Sequence, residues 1–249
     1  MTLLALLLTT IIGSLISLIG GVALLRTKRS RGVMLLLTLP LGAGALLGAA
    51  FFDLLPEAFH QGDPEQLLIW ALGGFTAFFL FERGSSWFHH HHEHGTDDVK
   101  NATQRHLIIT GDLIHNAIDG IAIGAAFLVS IPTGIITAIA VGAHEIPKEL
   151  GTFAVLLSRG WKDKTVLLAN VATAAATVIA AVSVYYLGLG HHLSIGPLLA
   201  VTAGFFIYIA ASDIIPDIHE QPRRIGSIQA VMLLIGILIV AIVTSLIQH

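Results

Sequence analysis

Residues 141–151 read VGAHEIPKELG, between the apolar runs IPTGIITAIA (131–140) and TFAVLL (152–157). A histidine, two glutamates, a lysine and a proline therefore stand inside what is otherwise a membrane-spanning stretch. Ionisable side chains at that depth cost several kcal/mol unless they are paired or ligated, so function is the default reading of such a segment. Taking the surrounding run as a span sets the reading of the rest of the chain.

That rest is equally apolar. Of 249 residues, 55% are hydrophobic and only 12% charged, with a mean hydropathy of +0.83, where a soluble domain carries about a quarter charged residues. The composition implies an all-α polytopic membrane protein whose partner is the lipid bilayer, and nothing in it suggests nucleic acid. Apolar runs of adequate length place eight transmembrane helices near 2–25, 33–58, 66–82, 106–130, 132–158, 164–188, 196–217 and 226–247. The whole of 1–249 is then a single integral membrane domain, with a histidine-rich loop at 83–105. The first run lacks a basic start and leads directly into RTKRSR (26–31), so it reads as a retained span and not a signal peptide.

Basic residues fix the expected direction. Arg26, Lys28, Arg29 and Arg31 follow span 1, and Arg83, Lys100 and Arg105 follow span 3. Arg159, Lys162 and Lys164 follow span 5, and Arg223 and Arg224 follow span 7. Twelve of the 13 basic residues thus fall on alternate loops, which the positive-inside bias makes cytoplasmic, with both termini outside. The thirteenth is Lys148, inside span 5.

Two short segments echo one another. DLLPE (53–57) closes span 2 and DIIPD (213–217) closes span 7, on opposite sides of the membrane. Such an inverted repeat is a transporter feature. It makes Asp53, Glu57, Asp213 and Asp217, with Asp112 and His219, candidates for the entrance and exit; Glu220 could join His219 at the inner exit. Solvated interfacial acids are the plainer alternative.

Spans 4 and 5 hold the chemistry. His115 and Asp119 lie one helical turn apart on one face, with Asn116 beside them. His144 and Lys148 share a face of span 5, and Glu145 and Glu149 share the adjacent one. The SIPTG connection (130–134) is short, and His115 precedes it by about as many residues as His144 follows it, so antiparallel packing sets the two clusters side by side. Imidazole with carboxylate and amide oxygen suits zinc, iron(II), manganese or cadmium, whereas calcium and magnesium favour oxygen alone. With no cysteine in the chain, thiolate ligation is excluded. Pro147 frees the carbonyl of Ala143 and kinks the helix there. Gly120 and Gly124 are spaced for close helix approach.

HNAIDGIAIGAAF followed by HEIPKELG resembles the paired fourth- and fifth-helix signatures of the ZIP divalent metal transporters, above all the LIV-1-like branch. FFDLLPEAF, GDLIHN and AGFFIYIAASDIIPD look like that branch too. The resemblance implies the ZIP fold, with spans 1–3 and 6–8 as inverted repeats around spans 4 and 5. It also implies uptake of zinc or a related metal into the cytoplasm, with iron(II), manganese or cadmium as alternative cargo and no catalytic cofactor. The family's metal ligands fall on His115, Asn116, Asp119, His144, Glu145 and Glu149, with Asn170 as a further candidate. An elevator-like movement of spans 1, 4, 5 and 6 against spans 2, 3, 7 and 8 is implied as well, and a homodimer is a further expectation.

One position departs from the pattern. Lys148 stands where the LIV-1 motif has histidine and where other members supply a bridging carboxylate, and a protonated ammonium has no lone pair to donate. The expectation is that its charge takes the place of a second metal while pairing with Asp119 or a glutamate of span 5. The alternatives are an unprotonated amine that ligates the metal, and a lysine turned away towards a carboxylate with no influence on it.

The tract FHHHHEHGTDDVK (88–100) carries His89, His90, His91, His92 and His94 and reads as a cytoplasmic acceptor or sensor of the released ion. His191 and His192 are expected to be solvated at the outer interface, with collection of metal there as the alternative. Two rivals to transport exist. A membrane metal sensor needs only the binding site; an intramembrane metalloenzyme would need HExxH, whose second histidine is here Lys148. Short loops and absent cysteines point to a bacterial inner membrane.

Overall fold

The computed structural model describes residues 1–26, 31–90, 97–158, 160–190 and 193–247. They form α1 (Thr2–Arg26), α2 (Arg31–Ala49), α3 (Leu55–His60), α4 (Pro64–His90), α5 (Asp97–Val129), α6 (Ile131–Ser158), α7 (Asp163–Leu189), α8 (Ile195–Ile209), α9 (Ile215–Glu220) and α10 (Arg223–Ile247). A π-helical turn, Ala50–Leu54, joins α2 to α3 within span 2, and a second, Ala210–Ile214, joins α8 to α9 within span 7. The result is eight spans and an all-helical membrane protein. Among the described residues, seven helices are long and apolar enough to cross a bilayer. Helix α6 is the exception, because His144, Glu145, Lys148 and Glu149 occupy its middle.

Helices α4 and α5 run further than hydropathy suggests. They cover 83–90 and 97–105 of the segment read as a loop, since helical hydrogen bonding need not stop where apolar residues do. His89 and His90 end α4, while His91, His92 and His94 lie outside the described residues, as do His191 and His192.

The packing bears out the inverted repeat. Spans 4 and 6 (α5 with α7) and spans 5 and 1 (α6 with α1) are extensive contacts, as are spans 2 and 8 (α2 with α10) and spans 7 and 3 (α8 with α4). Exchanging spans 1–3 with 6–8, and span 4 with span 5, turns each of these pairs into another. Two groups result, α1, α5, α6 and α7 against α2, α4, α8 and α10, meeting chiefly where α2 crosses α6.

Glycines let backbones touch within and between these groups. A Cβ on Gly120 would lie 2.2 Å from the Thr177 carbonyl oxygen, and one on Gly124 2.5 Å from that of Ala181, so the Gly120/Gly124 pair seats α5 on α7. At the α2–α6 crossing, a Cβ on Gly42 would lie 2.7 Å from the His144 Cα and 2.9 Å from the Ala143 carbonyl oxygen. The carbonyl released by Pro147 therefore faces α2.

Candidate metal centre

The α5–α6 hairpin sets the register of the site. Only Ser130 separates the two helices. Its hydroxyl accepts the backbone N–H of Thr133 at 3.1 Å and lies 2.9 Å from the Thr133 hydroxyl, capping α6 at its first turn. His115 lies fifteen residues before this serine and His144 fourteen after it, so tight antiparallel packing returns them to one level.

There the two imidazoles meet, with Nε2 atoms 3.2 Å apart. Asp119 Oδ2 stands 3.8 Å from His115 Nε2 and 3.5 Å from His144 Nε2. Glu145 Oε1 stands 3.8 and 3.6 Å from the same two nitrogens. All four donor atoms lie within 4.8 Å of one another. Donors held at zinc bond lengths of about 2.0–2.1 Å around a tetrahedral ion lie about 3.3 Å apart, so the quartet is close to the size of such a shell. Asp119 is fully buried, and neither of its carboxylate oxygens has a hydrogen-bond partner. His144 Nδ1 is likewise buried without one. A buried carboxylate left so is costly; a divalent cation on this quartet would satisfy it.

Lys148 borders the quartet. Its Nζ donates to Glu145 Oε1 at 2.6 Å and reaches Asp112 Oδ1 at 2.9 Å. The pairing with a glutamate of α6 was anticipated. The other partner is Asp112 and not Asp119, because Asp112 lies one turn before His115 on α5, level with Lys148 on the antiparallel α6. Two carboxylates at these distances are the surroundings of an ammonium, which argues against the amine-ligand reading and agrees with a lysine held on carboxylates. Phe78 of α4 closes another side, its ring edge-on to His115 at 5.9 Å between centroids. Tyr208 of α8 packs on Phe78 at 5.4 Å and donates its hydroxyl to Glu82 at 2.7 Å.

The remaining candidates stand apart from the quartet. Asn116 donates to the Asp112 backbone carbonyl at 3.0 Å and accepts the Thr177 hydroxyl at 2.9 Å, so its amide ties α5 to α7. Asn170 donates back to the Val166 carbonyl at 2.8 Å. Glu149 is buried against α1, where it lines a small cavity with Ser17. Among the entrance and exit candidates, Asp53 is fully buried and accepts the Thr137 hydroxyl at 3.3 Å, not solvated as an interfacial acid would be. Glu57 accepts from Gln61 at 3.0 Å, lies 3.6 Å from His60 Nδ1, and with it lines an open pocket of about 680 Å³. Asp217, His219 and Glu220 are exposed. Asp213 lies in the second π-turn, and its side chain is outside the described residues.

Sequence reasoning missed Asp112 as the partner of Lys148, Thr177 as that of Asn116, and the small polar residues of α1. The spacing Thr9, Thr10, Gly13, Ser14, Ser17 is a helical stripe that was available to be seen.

A family model described as ZIP zinc transporter matches residues 1–107 and 85–244. The chain is 30% identical over 246 residues to zinc transporter ZIP4 of Rattus norvegicus, covering 72% of this chain and 37% of that protein. It is 31% identical over 218 residues to zinc transporter ZIP13 of Pongo abelii, covering 82% and 64%, and 36% identical over 149 residues to zinc transporter ZIP6 of Homo sapiens, covering 55% and 19%. The chain thus spans less than two thirds of the length of these relatives.

Proposed function

The chain belongs to the ZIP zinc transporter family, and from that premise we propose that it carries a divalent cation, zinc foremost, through the His115, Asp119, His144 and Glu145 quartet into the cytoplasm. The observation that carries this reading is the convergence of four donors from α5 and α6, three buried and His115 half-buried, at the spacing of a zinc shell. Iron(II), manganese and cadmium suit the same nitrogen and oxygen set.

The charges balance locally. Asp119 and Glu145 neutralise a dication while the two imidazoles bind it uncharged. Lys148 then holds the position where the family pattern supplies a ligand for a second metal, so one ion is carried. The ammonium shares Glu145 Oε1 with the cargo. It thereby weakens that ligand and keeps the site from binding too tightly to release.

Movement is proposed to occur where α2 crosses α6, as a displacement of α1, α5, α6 and α7 against the other group. Gly42 brings the α2 backbone against the Ala143–His144 backbone of α6 there, a close crossing with little interdigitation that suits sliding. The pocket beside Glu57 and His60 is the entrance, Asp213, Asp217 and His219 mark the exit, and the histidine tract receives the ion. Both termini are placed outside by the partition of basic residues, and the membrane is taken as a bacterial inner membrane. Catalysis is not part of this reading: His144 is completed by His115 and Asp119 of the neighbouring helix, and residue 148 is no zinc-binding histidine.

The test is uptake into proteoliposomes containing a zinc-sensitive chelator. The parent should give a zinc-dependent signal that His115→Ala abolishes. A flat parent signal with intact binding would favour a membrane metal sensor.

A further inference from the structure

Behind the quartet, α1, α5, α6 and α7 enclose a cavity of about 20 Å³, lined by Thr10, Ser14, Ser17, Asn116, Glu145 and Glu149 among others. That is room for about one water-sized sphere. Glu149 and Ser17 are each 2% exposed, and Glu149 Oε2 and Ser17 Oγ have no hydrogen-bond partner. Two buried oxygens from different helices, close to one another but without a well-formed hydrogen bond, thus face one small space whose polar lining offers oxygen ligands.

Charge argues for the same occupant. The buried carboxyls of α5 and α6 among the described residues are Asp112, Asp119, Glu145 and Glu149, against the single ammonium of Lys148. A divalent cation on the quartet leaves one negative charge, and Glu149 is the carboxyl that neither Lys148 nor the quartet engages. Oxygen donors with a single uncompensated charge select a hard cation of low charge.

We propose that this cavity is a second ion site, which binds one monovalent alkali cation on oxygens of Glu149, Ser17, Ser14, Thr10 and Asn116. Glu145 borders both sites, so occupancy of one is felt at the other, and the alkali cation holds α1 against α6 while the metal is carried. The inference rests on the divalent-cation reading of the quartet for its charge count. Binding is therefore measured first with zinc absent.

The purified full-length chain is melted in choline chloride, then with sodium or potassium replacing choline at constant ionic strength. One alkali cation should raise the melting temperature saturably, by about 3 °C or more when well above its dissociation constant. Glu149→Gln and Ser17→Ala should each abolish the rise, while His115→Ala keeps it and loses the separate stabilisation by zinc. Equal melting in sodium, potassium and choline would overturn the proposal, leaving the cavity to a water or Glu149 to a proton. So would a rise that persists unchanged in both cavity variants. A cation-dependent rise in a protein that takes up no zinc would sink the transport reading and leave the ion site standing.

Discussion

Carboxylates enter the apolar interior at two places, by different means. On α5 and α6 they arrive through a local hairpin with a one-residue turn, and four donors converge on one point. At DLLPE and DIIPD they arrive through segments 160 residues apart that share a backbone: a π-turn followed by a short helix with proline in its first turn. The repeated backbone does not repeat the surroundings. Asp53 is sealed against Thr137 of α6, and at the last position of the repeat Glu57 is half-buried and bonded to Gln61, whereas its counterpart Asp217 is exposed. Symmetry of sequence thus fixes the turn, and the neighbouring helix decides what the acid does. A π-turn suits that division, since its extra residue re-aims a side chain without ending the helix.

Removing a donor from the hairpin should have the largest effect. His144→Ala should weaken zinc binding by about 100-fold or more, exceeding the 10–100-fold typical of outer partners of a metal site; equilibrium dialysis at fixed pH reads it. A loss under tenfold would mean that the quartet does not hold the ion. Next, Asp53→Ala should lower zinc uptake by about tenfold, since it removes the hydrogen bond between the π-turn of span 2 and α6, while Asp217→Ala should stay within about twofold. Equal losses would mean that the repeat is functional as well as geometric. Smaller again, Thr137→Val removes one neutral-to-charged hydrogen bond and should cost about 1–2 kcal/mol in unfolding free energy. The smallest change should follow deletion of 88–99, which is expected to shift apparent affinity and spare basal uptake. Complete loss of uptake would put the histidine tract on the ion path itself.

What sequence revealed divides along the same line. Spacings within a helix and across a short turn were legible: His115 with Asp119, the level of His144, and the anomaly of Lys148 all follow from periodicity and the SIPTG connection. The Gly120 and Gly124 spacing announced close packing, though not against which helix. Contacts between distant spans were not legible. The hydrogen bond that Asn116 accepts from Thr177 of α7 has no signal in the spacing of either helix. Glu149 shares a helix face with Glu145, but a full turn later it has passed from α5 to α1. The π-turns left no trace in hydropathy, because they change hydrogen bonding and not polarity.

The central claim is that one divalent ion sits on the quartet with Lys148 in place of a second. Zinc stoichiometry tests it most directly, in protein lacking 88–99 so that the histidine tract binds none, with parent and Lys148→His side by side. One zinc per chain in the parent and two in Lys148→His is the predicted result. Two in the parent, or the same number in both, would contradict it.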